Sequence, residues 1–239
     1  MFGKNPIRSV DFNASMLAIE EMFFTLQGEG PQSGRPALFI RAAGCNLACH
    51  FCDTQFETQA EILHPLSHIC SEVLKFKPEQ RKLVVLTGGE PLRQNFSGLV
   101  QFLINNGTEL VQIETAGTLW QPDLLPFIEA GRVQIVCSPK TPKIRKEITE
   151  HCRHWKYIIK EEPIAAWDGL PGVGTQVNNQ HSFQQIYRCP GRIDDVIWVS
   201  PCDEYNDVKN QANLNLATQL CLTHGYRLSL QVHKIVKLP

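Results

Sequence analysis

The stretch Arg41-Ala-Ala-Gly-Cys-Asn-Leu-Ala-Cys-His-Phe-Cys-Asp-Thr54 decides the fold of this sequence. It places three thiols, Cys45, Cys49 and Cys52, in a C-x3-C-x2-C array directly after an apolar, strand-like run at 37–40. Thiolates this close in sequence can bind a soft metal centre, because two short arches of chain bring three sulfurs together. An iron–sulfur cube is normally held by four cysteine thiolates, so three would leave one iron open to a substrate or cofactor.

Three interpretations of this stretch compete. Zinc could be held by the three cysteines with His50 or Asp53, although zinc ligands usually come as two separated pairs. A disulfide framework is disfavoured, because nine cysteines is an odd number and nothing marks the chain as secreted. Buried, inert cysteines are the third, yet three thiols within eight residues make a poor core pattern. The spacing resembles the signature of the radical S-adenosylmethionine (SAM) superfamily, and we favour that interpretation over zinc.

The resemblance extends to one family within that superfamily, the 7-carboxy-7-deazaguanine synthases, which make the deazapurine precursor of queuosine. It is carried before and within the cysteine stretch by Glu21-Met-Phe-Phe-Thr-Leu-Gln-Gly-Glu-Gly30, Pro36-Ala-Leu-Phe-Ile-Arg41 and Cys52-Asp-Thr54. Further matching blocks are Thr87-Gly-Gly-Glu-Pro91, Glu114-Thr-Ala-Gly-Thr118, Ser138-Pro-Lys140 and Gln231-Val-His-Lys234. These blocks run in family order from about residue 16 to the last residue, so the resemblance covers nearly the whole chain.

Composition is that of one soluble catalytic domain. We expect that domain at 16–239, preceded by a polar, irregular extension at 1–15 to which we assign no chemistry. The net charge of −1 and the pI near 6.7 do not indicate a basic surface, so we expect no nucleic-acid partner. Because the sequence shows neither a membrane-length apolar run nor a secretory signal, we expect a cytoplasmic protein with no membrane partner.

After the cysteine stretch, helical and extended patterns alternate. Apolar spacing predicts helices at 66–74, 99–104, 122–130 and 208–220, and strands at 82–86, 110–113, 133–137, 155–159, 196–199 and 228–232. This rhythm implies a mainly parallel sheet or an incomplete barrel. With the resemblance, the expected fold class is α/β, an incomplete TIM-like βα barrel of the radical SAM type. The weakest region, 141–192, is expected to form helices and loops that cover the barrel.

Polar side chains follow several of the predicted strands. They are Thr87 and Glu90, Glu114, Ser138, Ser200 and His233. In barrel-like folds the carboxyl ends of the strands form the rim where ligands bind, so we expect the site there. We also expect Cys202 near the site, and the remaining thiols to be small buried hydrophobes: Cys70, Cys137, Cys152, Cys189 and Cys221.

The superfamily resemblance implies a 4Fe-4S cluster whose open iron binds SAM, and an electron then cleaves SAM to methionine and a 5′-deoxyadenosyl radical. Residues 88–91 resemble the motif that receives the SAM amino group, since an ammonium is bound well by a carboxylate and by backbone carbonyls. Ser200 departs from the family, where a glutamine usually stands at that place. The resemblance implies SAM contacts from Phe51, Gly89, Glu90, Ser138, Pro139, Lys140, Ser200, Pro201, Cys202 and Asp203.

The family resemblance further implies that 6-carboxy-5,6,7,8-tetrahydropterin loses a hydrogen from C6, contracts its ring and releases ammonia. Arg41 would bind the substrate carboxylate, Thr54 a magnesium ion, and the terminal carboxylate of Pro239 the pterin. The implied substrate contacts are Leu26, Gln27, Gly28, Glu29, Arg41, Thr87, His233 and Pro239. An external flavodoxin- or ferredoxin-like reductant and a homodimer are expected from the family alone.

Two rival functions remain open at this point. Another radical SAM enzyme, such as a glycyl-radical activase, would share the cysteine stretch but has no reason to carry Gln27, Arg41 and Thr54 together. A zinc-binding or electron-transfer protein without a substrate would show either zinc or a cluster that is insensitive to SAM.

Overall fold

The computed structural model of the chain describes residues 6–11, 13–52, 62–161, 164–165, 167–175 and 185–238. Its strands are β1 (Met16–Leu26), β2 (Pro36–Ala42), β3 (Leu63–Pro65), β4 (Leu83–Gly88), β5 (Leu110–Thr115), β6 (Val133–Cys137), β7 (His154–Ile159), β8 (Val196–Pro201) and β9 (Arg227–Leu228). Its α-helices are α1 (Leu66–Leu74), α2 (Ser97–Asn105), α3 (Leu125–Glu129), α4 (Lys146–His151), α5 (Asp207–His224) and α6 (Val232–Ile235). Short 3-10 helices occupy Gly30–Gln32, Pro78–Arg81, Pro91–Arg93 and Pro122–Leu124.

The described strands form one mixed sheet in the order β3-β1-β2-β4-β5-β6-β7-β8-β9. From β2 through β9 neighbouring strands are parallel, whereas β1 runs antiparallel to both β2 and β3. Since β3 and β9 lie at opposite ends of this order, the sheet does not close. The predicted incomplete βα barrel is confirmed.

Side chains alternate across each strand and so divide the sheet into two faces. On β2, Leu38 and Ile40 point to the main core, which the helices cover, while Ala37 and Phe39 belong to a smaller cluster with Leu83 and Val85. Arg41 shares the face of Ala37 and Phe39, and parallel register sets it beside Thr87 of β4. The alternation that buries the core therefore directs polar strand ends into the barrel.

Most predicted elements are confirmed within one to three residues at their ends, but the last strand is wrong. Extended structure ends at Leu228, and residues 232–235 form α6 instead of continuing the strand. The chain leaves the sheet because its backbone bonds to the loop after β1: Val232 N–H donates to the Gly28 carbonyl at 3.2 Å. His233, expected at a strand tip, therefore lies on a short helix.

Part of the amino-terminal extension packs against the cysteine stretch. Arg8 N–H donates to the Cys45 carbonyl at 2.7 Å. The fully buried Arg93 donates through Nη1 to the Ser9 carbonyl at 2.7 Å. These bonds hold residues 6–11 against the loop that carries the thiols. The division of the chain into an extension and a catalytic domain stays a prediction. In the described residues, no helix is both long and apolar enough to cross a membrane.

Candidate active site

A cavity of about 300 Å³ opens at the carboxyl ends of the parallel strands. Many of the predicted site residues line it together, although they come from loops throughout the chain. They are Gln27, Glu29, Arg41, Cys45, Cys49, Phe51, Cys52, Thr87, Gly89, Ser138, Lys140, Ser200, Pro201, Cys202, Asp203 and His233. The sheet thus brings the cysteine stretch, the expected SAM motifs and the expected pterin motifs to one place.

Other predicted site residues lie elsewhere. Leu26 is the last residue of β1, and Pro139 lines a smaller neighbouring cavity. Gly28 lies directly beneath the His233 ring, because a Cβ built at Gly28 would stand 2.1 Å from His233 Nδ1. Thr54 and Pro239 fall outside the described residues, so their predicted roles have no structural description.

Hydrogen bonds within the loop and from Thr175 hold the loop that carries the thiols. Cys52 N–H donates to the Cys49 carbonyl at 3.2 Å, which arches the chain between two of the thiols. Thr175 Oγ1 donates to Cys49 Sγ at 3.1 Å, and His50 N–H donates to the Thr175 carbonyl at 3.0 Å. Burial, reinforced by the Glu90 carboxylate, raises the pKa of the Cys45 thiol to about 12. Burial therefore disfavours the free thiolate form of Cys45.

The arrangement of the thiols distinguishes between a single ion and a larger centre. All nine cysteines are described, and each is in the thiol form. Within the described part of the chain, no three His, Cys, Asp or Glu side chains converge closely enough to hold one metal ion. All three thiols line the cavity, whereas His50 lines the smaller neighbouring cavity and its Nδ1 lies 3.0 Å from the Thr175 carbonyl, which disfavours zinc with His50 as its fourth ligand. A multi-iron cluster is wider than one ion, and this donor set suits it.

Gly89 and Glu90 fix the next loop against the thiol loop. A Cβ at Gly89 would stand 1.9 Å from the Gly44 carbonyl oxygen, so only glycine permits this approach. The Glu90 carboxylate is fully buried and accepts hydrogen bonds from Thr115 Oγ1 at 2.7 Å and Ala116 N–H at 2.8 Å. Burial raises the Glu90 pKa despite these bonds. Glu90 thus lies bound to the loop after β5, and its predicted contact with SAM stays a prediction.

Four residues of the cavity lining form a ring, which we call the carboxylate ring: Gln27, Glu29, Glu114 and Lys156. Hydrogen bonds make three of its sides, and an ion pair between Lys156 and Glu114 closes it. Gln27 Nε2 donates to Glu114 Oε1 at 3.0 Å, and Glu29 N–H donates to Gln27 Oε1 at 3.0 Å. Lys156 Nζ donates to Glu29 Oε2 at 2.5 Å and lies 3.7 Å from Glu114 Oε2. Burial raises the Glu29 pKa, but Lys156 outweighs it and the net shift is downward.

Arg41 and Thr87 border this ring. Arg41 Nε donates to Glu21 Oε1 at 2.7 Å, and its guanidinium lies 5.8 Å from the centre of the Phe23 ring. Thr87 Oγ1 donates to Glu114 Oε2 at 3.5 Å. Arg41 is therefore held at the cavity wall by a carboxylate and an aromatic face of β1, from which its guanidinium can reach an anionic group.

The expected SAM side of the cavity carries two held cations. Lys140 Nζ donates to Ser138 Oγ at 2.5 Å and lies 5.5 Å from the centre of the Phe51 ring, and burial lowers its pKa. Asp203 Oδ2 accepts from Lys234 Nζ at 2.7 Å. Burial opposes ionisation of Asp203, but the hydrogen bond from Lys234 and others outweigh it and lower its pKa.

Sequence reasoning missed Lys156 and Thr175, and it placed Glu114 only at a strand tip. A lysine within the apolar run His154-Trp-Lys-Tyr-Ile-Ile159 was the available signal, because a lysine in a buried strand needs an anionic partner. Nothing in the sequence pointed to Thr175, which lies 126 residues from the thiol it contacts.

Comparisons with known proteins agree with this geometry. The Radical SAM superfamily model matches residues 39–161. The chain is 41% identical to a 7-carboxy-7-deazaguanine synthase of Rhodospirillum rubrum, covering 100% of both chains, and 38% identical to one of Rickettsia prowazekii, covering 99% of this chain and 95% of that protein. The crystal structure of QueE from Escherichia coli has a TM-score of 0.58 at 24% identity over 90% of this chain and 94% of that chain, a likeness of fold.

Proposed function

The chain belongs to the 7-carboxy-7-deazaguanine synthase family of the radical SAM superfamily, and we propose that it is a carbon–nitrogen lyase. It converts 6-carboxy-5,6,7,8-tetrahydropterin into 7-carboxy-7-deazaguanine and releases ammonia, a step in queuosine or another 7-deazapurine pathway. The observation that carries this proposal is that one cavity is lined both by the three thiols and by the carboxylate ring. A glycyl-radical activase has no use for such a ring beside its cluster, so the synthase activity is favoured.

The superfamily uses a 4Fe-4S cluster and SAM, and the residues present suit both. Cys45, Cys49 and Cys52 would hold the cluster, because all three are free thiols that line the cavity from one short, hydrogen-bonded loop. When bound, the reduced cluster and SAM supply the radical that starts the reaction.

The chain's own residues would bind and orient the two small molecules. Lys140 and Ser138 lie where they could contact the SAM carboxylate, and the exposed backbone at Gly89 could accept from its amino group. Glu29 and Glu114 present carboxylate oxygens that suit the N–H donors of an amino-pyrimidinone edge, while Arg41 suits the substrate carboxylate. Such fixed contacts at both ends hold the pterin in one orientation, on which the selectivity of radical attack depends.

Three further parts of the proposal rest on the family resemblance. Magnesium would be bound through Thr54, the Pro239 carboxylate would bind the pterin, and the enzyme would be a homodimer that takes electrons from a flavodoxin- or ferredoxin-like protein. Omission of magnesium from the assay, extension of the chain beyond Pro239, and light scattering of the reconstituted protein test the magnesium, the carboxylate and the homodimer in turn.

The central test is anaerobic reconstitution followed by incubation with SAM, a strong reductant, magnesium and the carboxytetrahydropterin. We expect 7-carboxy-7-deazaguanine by mass spectrometry, and its loss when Cys49→Ala is assayed. Formation of 5′-deoxyadenosine with an unchanged pterin would contradict the substrate. Absence of both products from protein that holds iron and sulfide would contradict the assignment of the three cysteines.

A further inference from the structure

The carboxylate ring joins elements that are far apart in the sequence. Gln27 and Glu29 follow β1, Glu114 lies on β5, and Lys156 lies on β7. Lys156 is the cation that bridges the two carboxylates, at 2.5 Å from Glu29 and 3.7 Å from Glu114. Its side chain is 9% exposed, and those of Glu29 and Glu114 are 13% and 17% exposed. At this depth the ammonium and the two carboxylates depend on one another for their charge.

Removal of the cation from this ring has a definite electrostatic consequence. Burial raises the Glu29 pKa, and without Lys156 the hydrogen bond from Ser200 and the charge of His233 are the remaining effects that oppose burial, so Glu29 takes up a proton more readily. The other charged or titratable groups that influence Glu29 are His233 of α6 and Lys140 from the loop after β6. Among the positively charged neighbours that lower the Glu29 pKa, Lys156 has the largest effect, ahead of His233.

Lys156 also fixes the position of the Glu29 carboxylate. Glu29 Oε2 accepts from Lys156 and Oε1 accepts from Ser200 Oγ at 3.2 Å, so both oxygens of Glu29 are held by β7 and β8. Ser200 is the residue that stands where the family usually has a glutamine. The pair of bonds clamps the loop after β1 onto the strands on the expected SAM side, and the remaining lone pairs of the carboxylate are left to a ligand.

We propose that Lys156 is a positioning residue that keeps Glu29 ionised and holds Glu29 and Glu114 in alignment, so that their carboxylates can accept hydrogen bonds from the amino-pyrimidinone edge of the substrate. This inference rests on the proposed function, because it takes the pterin as the ligand of the ring. Lys156 itself does not react: it acts through the two carboxylates.

The experiment measures binding instead of turnover. Anaerobically reconstituted protein with SAM is titrated calorimetrically with pterin-6-carboxylate, an oxidised and unreactive relative of the substrate, at pH 6, 7 and 8. For wild type we expect a nearly constant Kd over this range. For Lys156→Met we expect a Kd raised about tenfold or more at pH 6 and less at pH 8, because Glu29 without its cation stays protonated until the pH rises through its elevated pKa. Lys156→Arg keeps the charge and should restore Kd to within about threefold.

Two further variants separate this role from a general loss of stability. Lys156→Gln keeps a donor to Glu29 without the charge, and it is the variant to use if Lys156→Met does not fold; we expect the same dependence on pH. Arg192→Met breaks the partly buried 2.7 Å ion pair with Asp195, which does not line the cavity. We expect this control to lower Tm and leave Kd and its pH dependence unchanged.

The outcomes distinguish this inference from the proposed function. If wild type binds the pterin and the Lys156→Met and Lys156→Gln variants match it at all three pH values, the role of Lys156 is overturned and the function stands. An equal loss of affinity at every pH in Lys156→Met, with no recovery in Lys156→Arg, also overturns the role of Lys156, because a merely structural lysine would give that result. If wild type does not bind the pterin, both the proposed substrate and this inference are overturned.

Discussion

A methyl group added at Gly89 is expected to displace the thiol loop. Gly89 N–H donates to the Ala42 carbonyl at 3.2 Å, and Glu90 N–H donates to the Gly44 carbonyl at 3.1 Å, so two backbone segments touch here. In Gly89→Ala the new Cβ would stand 1.9 Å from the Gly44 oxygen and 3.0 Å from Cys45 Cβ. An alanine is excluded at this position by the close backbone approach alone, since the φ of Gly89 lies outside the left-handed region.

The size of the effect follows from these distances. A carbon and a carbonyl oxygen are ordinarily about 3.3 Å apart at their closest, so the Gly44 oxygen must retreat by about 1.4 Å. Overpacking of this kind typically costs about 1–3 kcal/mol of unfolding free energy. Because Cys45 directly follows Gly44, the first thiol would move with it, and a misplacement of about 1 Å at a reacting site can cost about a hundredfold in rate.

The assay is iron and sulfide per chain after anaerobic reconstitution, with denaturant unfolding alongside. Gly89→Ala should hold clearly less iron than wild type. Gly225→Ala is the matched control, because Gly225 ends α5 at φ +72° with open space around it. Gly225→Ala should lose about 1–2 kcal/mol of unfolding free energy from left-handed strain alone, and it should bind iron as wild type does. Normal iron content and normal SAM binding in Gly89→Ala would refute the argument that this contact positions the thiol loop.

Three other predictions test the surroundings of the site. Glu90→Gln should lower the unfolding free energy by about 1–3 kcal/mol in urea at pH 7, because the new amide faces the Ala116 or the Leu92 N–H and leaves a buried donor unpaired; an unchanged midpoint would contradict this. Deletion of residues 1–11 removes the Ser9 carbonyl from the buried Arg93, so it should lower the unfolding free energy by about 1.5–3 kcal/mol and speed the loss of iron to a chelator. Equal rates of iron loss in the deletion variant and wild type would contradict this prediction. Hydrogen bonds from Arg192 and Trp155 overcome burial and lower the Asp195 pKa below 3.8, so the stability they contribute is present above that pH and lost as the pH falls further. The Tm deficit of Arg192→Met should therefore shrink between pH 5 and pH 3, and a constant deficit would be evidence against the shift.

Several elements were predictable because their signals are local. Apolar spacing at 66–74 marks α1, since helix and strand faces repeat every few residues. The thiol array needs only eight consecutive residues, and polar residues such as Thr87 and Ser138 were placed at the rim by the rule that parallel strands share an orientation. The βα order and several polar residues at the strand ends thus followed from short-range pattern, whereas the other predicted cavity residues came from the family resemblance.

The sequence by itself determined the thiol array, the βα order and the residues available at the strand ends. Only the tertiary structure decided which of them meet. Lys156 and Glu29 are 127 residues apart, and Thr175 and Cys49 are 126 apart, so no local period records either contact. The turn of the chain into α6 depends likewise on a bond to Gly28, and the strand expected at 228–232 was lost to it. Local pattern fixes which face a side chain occupies, whereas the pairing of buried charges is set by strand order and by the cost of leaving a charge unpaired.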